Sequence, residues 1–288
     1  MAVNTQTFGR QRTVDTSRGF SGLWGDCPLA SIRDNPGEGY WFFDDFVDFG
    51  IAGTQTSEIN LGRYKVYNTG SGTVASNKFP NSTGTQLGGV ISMLCDTAGD
   101  QSVIGTHACP YSLASTAGKL WFEARVATTS VATAMTHIFI GLGNNADVSF
   151  GAAIPLADAD ATGTAVALVG FARLEDGETA LNTVLTDEGA TYNYGGVAST
   201  NIQTGAGTLA ANTWIKVGMM FDPKNASRCL RFFVNGVEAS TAVTSTILAA
   251  TTHLDASGLG PVFAQFADTN GTSNYAYLDW WACYQQAV

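Results

Sequence analysis

Residues 212–240, NTWIKVGMMFDPKNASRCLRFFVNGVEAS, decide how the chain is read. Over 214–222, Ile215, Val217, Met219 and Phe221 fall on one side of an extended backbone, with Lys216, Gly218 and Asp222 on the other. That is the period of two that a strand imposes. Asp222-Pro223-Lys224-Asn225 supplies turn chemistry, and Leu230, Phe232 and Val234 then share a face of a second strand. Asn235-Gly236 tolerates the positive φ that a tight type I′ hairpin requires. The stretch reads as a three-stranded antiparallel meander.

The same signature extends through most of the chain. Dense aromatics begin at Tyr40 with YWFFDDFVDF, and β-type segments follow at 63–69, 88–96, 119–128, 136–144, 165–174, 262–268 and 275–285. Each is rich in Val, Ile, Phe, Tyr or Trp and bounded by Gly, Asn, Asp or Ser. No amphipathic helix longer than two turns stands out, and STILAATTHL (245–254) is the best short candidate. On the order of ten strands, antiparallel where they can be paired, predict an all-β fold: a two-sheet antiparallel sandwich.

Residues 1–40 differ. They have few periodic apolar positions, scattered Gly and Pro, and isolated Phe8, Phe20, Leu23 and Trp24. The expectation is an extended N-terminal arm over 1–40 and one β-sandwich domain over 41–288. A free tail gains nothing by exposing Phe20 and Trp24, so the arm should dock on a neighbour or back on its own body.

Composition narrows the function. With 45% hydrophobic and 13% charged residues the chain is not a disordered polyelectrolyte. The net charge is −10, and Arg10, Arg12 and Arg18 against Asp15 make the first 25 residues locally positive. The acidic remainder repels phosphate, so nucleic acid is not an expected partner of the body. The five cysteines (Cys27, Cys95, Cys109, Cys229 and Cys283) form no C-x-x-C pair and are odd in number, so buried thiols are expected rather than a disulfide framework. The opening MAVNTQTFGRQRTVDTS has no apolar core of a secretory signal, and no run reaches the roughly 20 apolar residues of a membrane span. The expected origin is a cytoplasm, with no membrane partner.

The quoted meander resembles the concanavalin A-like jelly rolls, laminin-G and pentraxin-type modules among them. Their pattern is a Trp opening a strand that ends in Asp, a turn, and a strand running into Asn/Asp-Gly; Trp214, Asp222 and Asn235-Gly236 match it. GKLWFEARVA (118–127) is similar to an early strand of that fold, and YAYLDWWACYQ (275–285), where Asp279 precedes two tryptophans, to its closing strand. The resemblance covers roughly residues 41–288 and implies a jelly-roll sandwich; function varies widely on that architecture.

Chemistry-bearing clusters are few. Glycoside hydrolysis needs two carboxylates about 5–5.5 Å apart for retention or about 6.5–9.5 Å for inversion. The Glu-x-Asp-x-x-Glu strand that the resemblance to glucanases would imply is missing. Glu175, Asp176 and Glu178 surround a turn glycine, and Asp44 and Asp48 share a strand face with Phe46 between them. Asp158, Asp160, Thr162 and Gly163 begin like a calcium loop, but its twelfth position is Val169, where a bidentate Glu belongs. Asn144, Asn145 and Asp147 are a second, loop-borne oxygen set, and His107, His137 and His253 lie too far apart in sequence for a zinc signature. No nucleophile elbow, phosphate loop or dinucleotide fingerprint occurs. The expectation is no catalytic residue, no metal and no cofactor. Tyr192 and Tyr194 alternate onto one face beside Gly195-Gly196 and are the candidates for stacking on a glycan.

Sparse charge, an aromatic arm and the lack of a catalytic constellation resemble a tailed-bacteriophage capsid decoration, or cement, protein. That resemblance implies a homotrimer on the outer capsid surface of the virion, bridging the major capsid protein. Phe8, Arg10, Arg12, Arg18, Phe20 and Trp24 of the arm would then grip capsid or neighbour. The alternative is a virion lectin-like module that attaches to a host-surface glycan.

Overall fold

The computed structural model describes residue 14 and residues 16–47, 59–70, 72–76, 89–131, 137–144, 167–173, 179–186, 203–239, 242–250, 258–267 and 275–288. Sixteen strands lie among them. The first eight are β1 (Gly39–Asp44), β2 (Ile59–Leu61), β3 (Tyr64–Thr69), β4 (Thr73–Ser76), β5 (Ile91–Leu94), β6 (Gln101–Thr106), β7 (Leu120–Thr128) and β8 (His137–Gly143). The others are β9 (Leu168–Arg173), β10 (Ala180–Thr186), β11 (Gln203–Thr208), β12 (Ile215–Phe221), β13 (Leu230–Val234), β14 (Val237–Glu238), β15 (Gly260–Phe266) and β16 (Tyr275–Gln286). Two short helices, α1 (Leu29–Asp34) and α2 (Ser245–Ala250), accompany them. Among the described residues no helix is long and apolar enough to cross a membrane.

The strands form two eight-stranded sheets. One runs β14-β13-β12-β7-β16-β5-β4, with β1 also paired to β16; the other runs β11-β10-β9-β8-β15-β6-β3-β2. The neighbouring strands pair antiparallel throughout. This is the all-β antiparallel sandwich expected from the meander. The meander itself is β12, β13 and β14, with Val217 opposite Val234 and Phe221 opposite Leu230. Val234 faces Val237 across a two-residue loop in which Asn235 and Gly236 have φ of 49° and 76°. Both values are positive, as a type I′ turn demands.

The core lies between the sheets. Ile215, Val217, Met219 and Phe221 of β12 pack with Phe122 of β7 and Trp281 of β16 against Ile140, Val169, Phe171 and Phe263 of the opposite sheet. Phe171 meets Phe232 edge-on across the gap, with ring centroids 5.5 Å apart. All five cysteines are free thiols; Cys95, Cys229 and Cys283 are buried and Cys27 and Cys109 half-buried.

Alternation alone would send the second side of β12 to water. Instead Lys216 and Met220 are buried, and β7 is buried along its full length. The cause is the N-terminal segment. Residues 16–38 fold into two 3₁₀ turns, Gly22–Asp26 and Pro36–Glu38, with α1 between them, and lie against the outer face of the first sheet. Leu23, Trp24 and Ile32 form a second apolar cluster there with Trp121, Met220, Phe233, Ala282 and Tyr284. Gly218 makes room for this seat, since a Cβ at that position would stand 2.6 Å from Leu23 Cδ2. Of the two dockings that the aromatics allow, the described part of the segment takes the one on its own body.

Trp24 is wholly buried in that seat. Trp24→Ala is expected to cost about 3–5 kcal/mol of unfolding free energy, read from urea midpoints, as other buried Trp truncations do. A loss within about 0.5 kcal/mol, typical of a surface site, would mean that the segment is not docked in solution.

Candidate functional site

Two regions bring polar chemistry together, and they differ in access. The first lies under the N-terminal segment. Glu123 and Arg125 project from β7, Lys216 from β12 and Asp279 from β16; Glu123, Lys216 and Asp279 are at most 1% exposed. The pairing of β16 with β7 shifts register between Leu278 and Trp280, so Asp279 is the extra residue of a bulge. In a regular strand Asp279 and Trp280 would face opposite ways; here both reach Arg18.

The Asp279 carboxylate takes the Arg18 Nη2 at 2.9 Å and the Arg125 Nη1 at 2.6 Å, and Trp280 Nε1 donates to the Arg18 carbonyl at 2.7 Å. Glu123 Oε2 accepts from the Ser21 backbone N–H at 3.0 Å and from Trp24 Nε1 at 2.7 Å, while Lys216 Nζ donates to the Gly19 carbonyl at 2.9 Å. Burial raises the Glu123 carboxyl above the ordinary glutamate range; the Ser21 and Trp24 donors and the Lys216 charge pull it part of the way back. Glu123 and Asp279 are thus two acids on one sheet face, but the segment over them closes that face to a substrate.

The second region is open. A cavity of about 370 Å³ lies at the rim of the sandwich, between the edge of β1, the β2–β3 hairpin and the end of β6. Trp41 and Phe42 both line it, from opposite faces of β1: Phe42 packs toward Tyr64 and Trp281, and Trp41 toward Tyr284. Trp41 is 47% exposed, and its ring lies nearly parallel to Tyr284, the residue it faces across the β1–β16 ladder. The hairpin has a two-residue loop, Gly62-Arg63, closed by Leu61 opposite Tyr64. Gly62 has φ of 59°, which a first loop position of type II′ requires and a side chain resists. This sets Arg63 at the tip, its guanidinium 5.6 Å from the Phe42 ring centre and 5.9 Å from that of Tyr64. The His107 backbone N–H donates to the Arg63 carbonyl at 2.7 Å, which ties the end of β6 to the hairpin and brings the exposed imidazole to the cavity.

The residues singled out from sequence have varied fates. Arg18, Phe20 and Trp24 are engaged in the chain's own body: Arg18 on Asp279, and Phe20 against Trp24, Phe43 and Trp280. Phe8, Arg10, Arg12, Tyr192 and Tyr194 lie outside the described residues, as do Asp48, Asp147, Asp158, Asp160, Glu175, Asp176, Glu178 and His253. Asp44 accepts from the Tyr64 hydroxyl and from the Phe46 N–H at 2.7 Å. Among the described residues no three His, Cys, Asp or Glu side chains group as metal ligands would. Trp41, Arg63 and His107 were not foreseen as one site. The signal was present in Gly62, a turn former directly before Arg63, and in four consecutive aromatics, Tyr40 to Phe43, which no single strand face can bury.

No protein-family profile matches the chain, and no curated protein matches it in sequence. Solved structures do match in fold. A protein of unknown function from Shewanella oneidensis MR-1 superposes with a TM-score of 0.51 at 15% identity, over 94% of this chain and 97% of that one. Peanut lectin superposes with a TM-score of 0.51 at 11% identity, over 87% of this chain and 99% of the lectin. An endo-1,3-β-glucanase from Streptomyces sioyaensis gives 0.50 at 14% identity, over 86% and 97%. The fold is therefore a concanavalin A-like sandwich, shared with lectins and with glycan-cleaving enzymes. At these identities the likeness carries fold alone, and it lends a capsid role no support.

The covered face makes a pH-dependent prediction. A carboxyl whose folded-state pKa is raised keeps its proton in the native state where the unfolded chain has lost it. Stability is then complete below the unfolded value, about pH 4, and falls as pH climbs towards the folded one. Glu123→Gln retains an oxygen for Trp24 Nε1 and removes that decline. Urea midpoints taken from about pH 4 to about pH 8 should show the variant gaining on the wild type as pH rises. Parallel curves would mean that Glu123 titrates normally.

Proposed function

We propose that the protein is a carbohydrate-binding module that seats a saccharide on Trp41 in the rim cavity. The half-exposed Trp41 ring beside an open cavity carries this reading. A pyranose presents an apolar C–H face and a polar rim, and an exposed indole at a cavity whose lining also holds donors offers a match to both. Trp41 does not need to be ordered by the ligand, because Tyr284 already supports it. That lowers the entropy lost on binding. The fold supports the reading only as one that lectins share.

In this reading the protein binds without turnover. Its two buried acids on one face are occupied by the Ser21 and Trp24 donors and by the two arginines. On a virion such a module would serve attachment to a host-surface glycan. The decoration role, a homotrimer on the major capsid protein, draws on no described surface, since Arg18, Phe20 and Trp24 have partners within the chain.

Trp41→Ala tests the proposal. The side chain stands outside the core, so the melting temperature should stay close to that of the wild type. Binding of the best ligand on a glycan array, followed in solution by calorimetry, should weaken by about tenfold or more, roughly 1.4 kcal/mol. A glycan bound equally well by the variant would move the site elsewhere.

A further inference from the structure

We infer that the saccharide taken by the rim cavity is acidic, carrying a carboxylate that the Arg63 guanidinium binds; this rests on the carbohydrate-binding reading of the same cavity. Among the described residues the cavity's polar side chains are Arg63, Thr106, His107 and Tyr111, with no carboxylate or amide side chain in the lining. The two hydroxyls are already turned away: Thr106 Oγ1 donates to the Ala108 carbonyl at 2.9 Å and the Tyr111 hydroxyl to the Cys283 carbonyl at 3.0 Å. Among the described lining residues Arg63 is the permanent cation and offers donors only, so an anionic acceptor matches it better than a hydroxyl that must also donate. A sugar carboxylate brings acceptors only.

Arg63 is fitted to receive one. Its side chain is 59% exposed at the hairpin tip, and the rings of Phe42 and Tyr64 hold the guanidinium in place. Among the described residues its nearest acid is Asp44, whose carboxylate lies 3.7 Å from Nε, beyond a good hydrogen bond. Asp44 is already engaged with Tyr64 and with the Phe46 N–H. Among the described residues the guanidinium, which lines the cavity, has its ion pair with Asp44 and no closer hydrogen bond, leaving donors with which an arginine can grip a carboxylate bidentately. Composition sharpens the point: in a chain with 24 acidic and 14 basic side chains, a cavity whose described lining holds an arginine and no acid runs against the average surface.

The test uses the full-length chain on an array of neutral oligosaccharides printed beside their uronate- and sialate-bearing counterparts, with the best ligand repeated in solution as the free acid and as its methyl ester. The expected result is acid-selective binding. Esterification should weaken it by about tenfold or more; Arg63→Gln should abolish the difference between acid and ester, and Arg63→Lys should keep part of it. Melting curves of both variants establish that they are folded. Binding of acid and ester with equal strength, still lost in Trp41→Ala, would overturn the acidic inference and leave the carbohydrate reading standing. An acid preference that survives in folded Arg63→Gln would overturn the assignment to Arg63. No binding by any glycan on the array would overturn the carbohydrate reading, and the inference with it.

Discussion

The fully buried carboxylate of Asp279 is the constraint around which one whole face of the protein is arranged. An ionised carboxylate out of water costs several kcal/mol unless it is closely paired. Arg125, from the neighbouring strand, supplies one partner and is itself buried against the Trp214 ring, 4.5 Å from its centre. Arg18 supplies the other, and it comes from the N-terminal segment. Losing either would leave the buried charge only part-compensated, and losing the more buried Arg125 would cost more than losing the half-exposed Arg18. The segment is thus held by the electrostatics of the sheet as well as by the Trp24 cluster. Lys216 and Glu123 repeat the logic, each finding its partner in the segment's backbone or in the Trp24 indole.

From this follows the position of the open site. The central strands β7, β12 and β16 are covered on both faces, one by the opposite sheet and one by residues 16–38. A broad ligand groove across them has no room while that segment is docked. The edge is different. β1 pairs only with β16 among the described strands, and Tyr40 and Trp41 keep 55% and 47% of their surface in water. The rim stays open, and there the β2–β3 hairpin places a cation against Phe42 in a cavity that Trp41 also lines.

How much of this could be read in the residues follows from the same physics. β12 and β13 alternate cleanly on the core side, and the Asn235-Gly236 turn fixes their register, so the meander was legible in full. β4 (TVAS) and β11 (QTGAGT) were not, because small residues carry little periodic signal. β6 was missed because Val103 and Ile104 sit side by side, on opposite faces of a strand buried on both. The docked segment was legible only as a need: Phe20 and Trp24 had to be covered by something. Its partner was hidden because Lys216 and Glu123 look like solvent-facing residues of amphipathic strands, and nothing local announces that a distant segment will bury them. The site was hidden for a related reason. Trp41, Arg63 and His107 meet only when β1 leaves for one sheet and β3 and β6 for the other.

The charge distribution decides what kind of selectivity such a site has. A chain of net charge −10 repels an anionic sugar at long range, but at physiological ionic strength that repulsion is screened beyond about 8 Å. Inside the cavity the balance reverses, since Arg63 stands within contact distance and the nearest acid is already engaged by its own neighbours. On the proposed reading, discrimination would rest on short-range geometry, on whether the carboxylate of a sugar that also touches Trp41 reaches the guanidinium. An acidic surface with one basic notch does not collect polyanions indiscriminately, as a basic patch would. On the proposed reading it would admit an acidic group where the shape of the sugar brings it to the arginine.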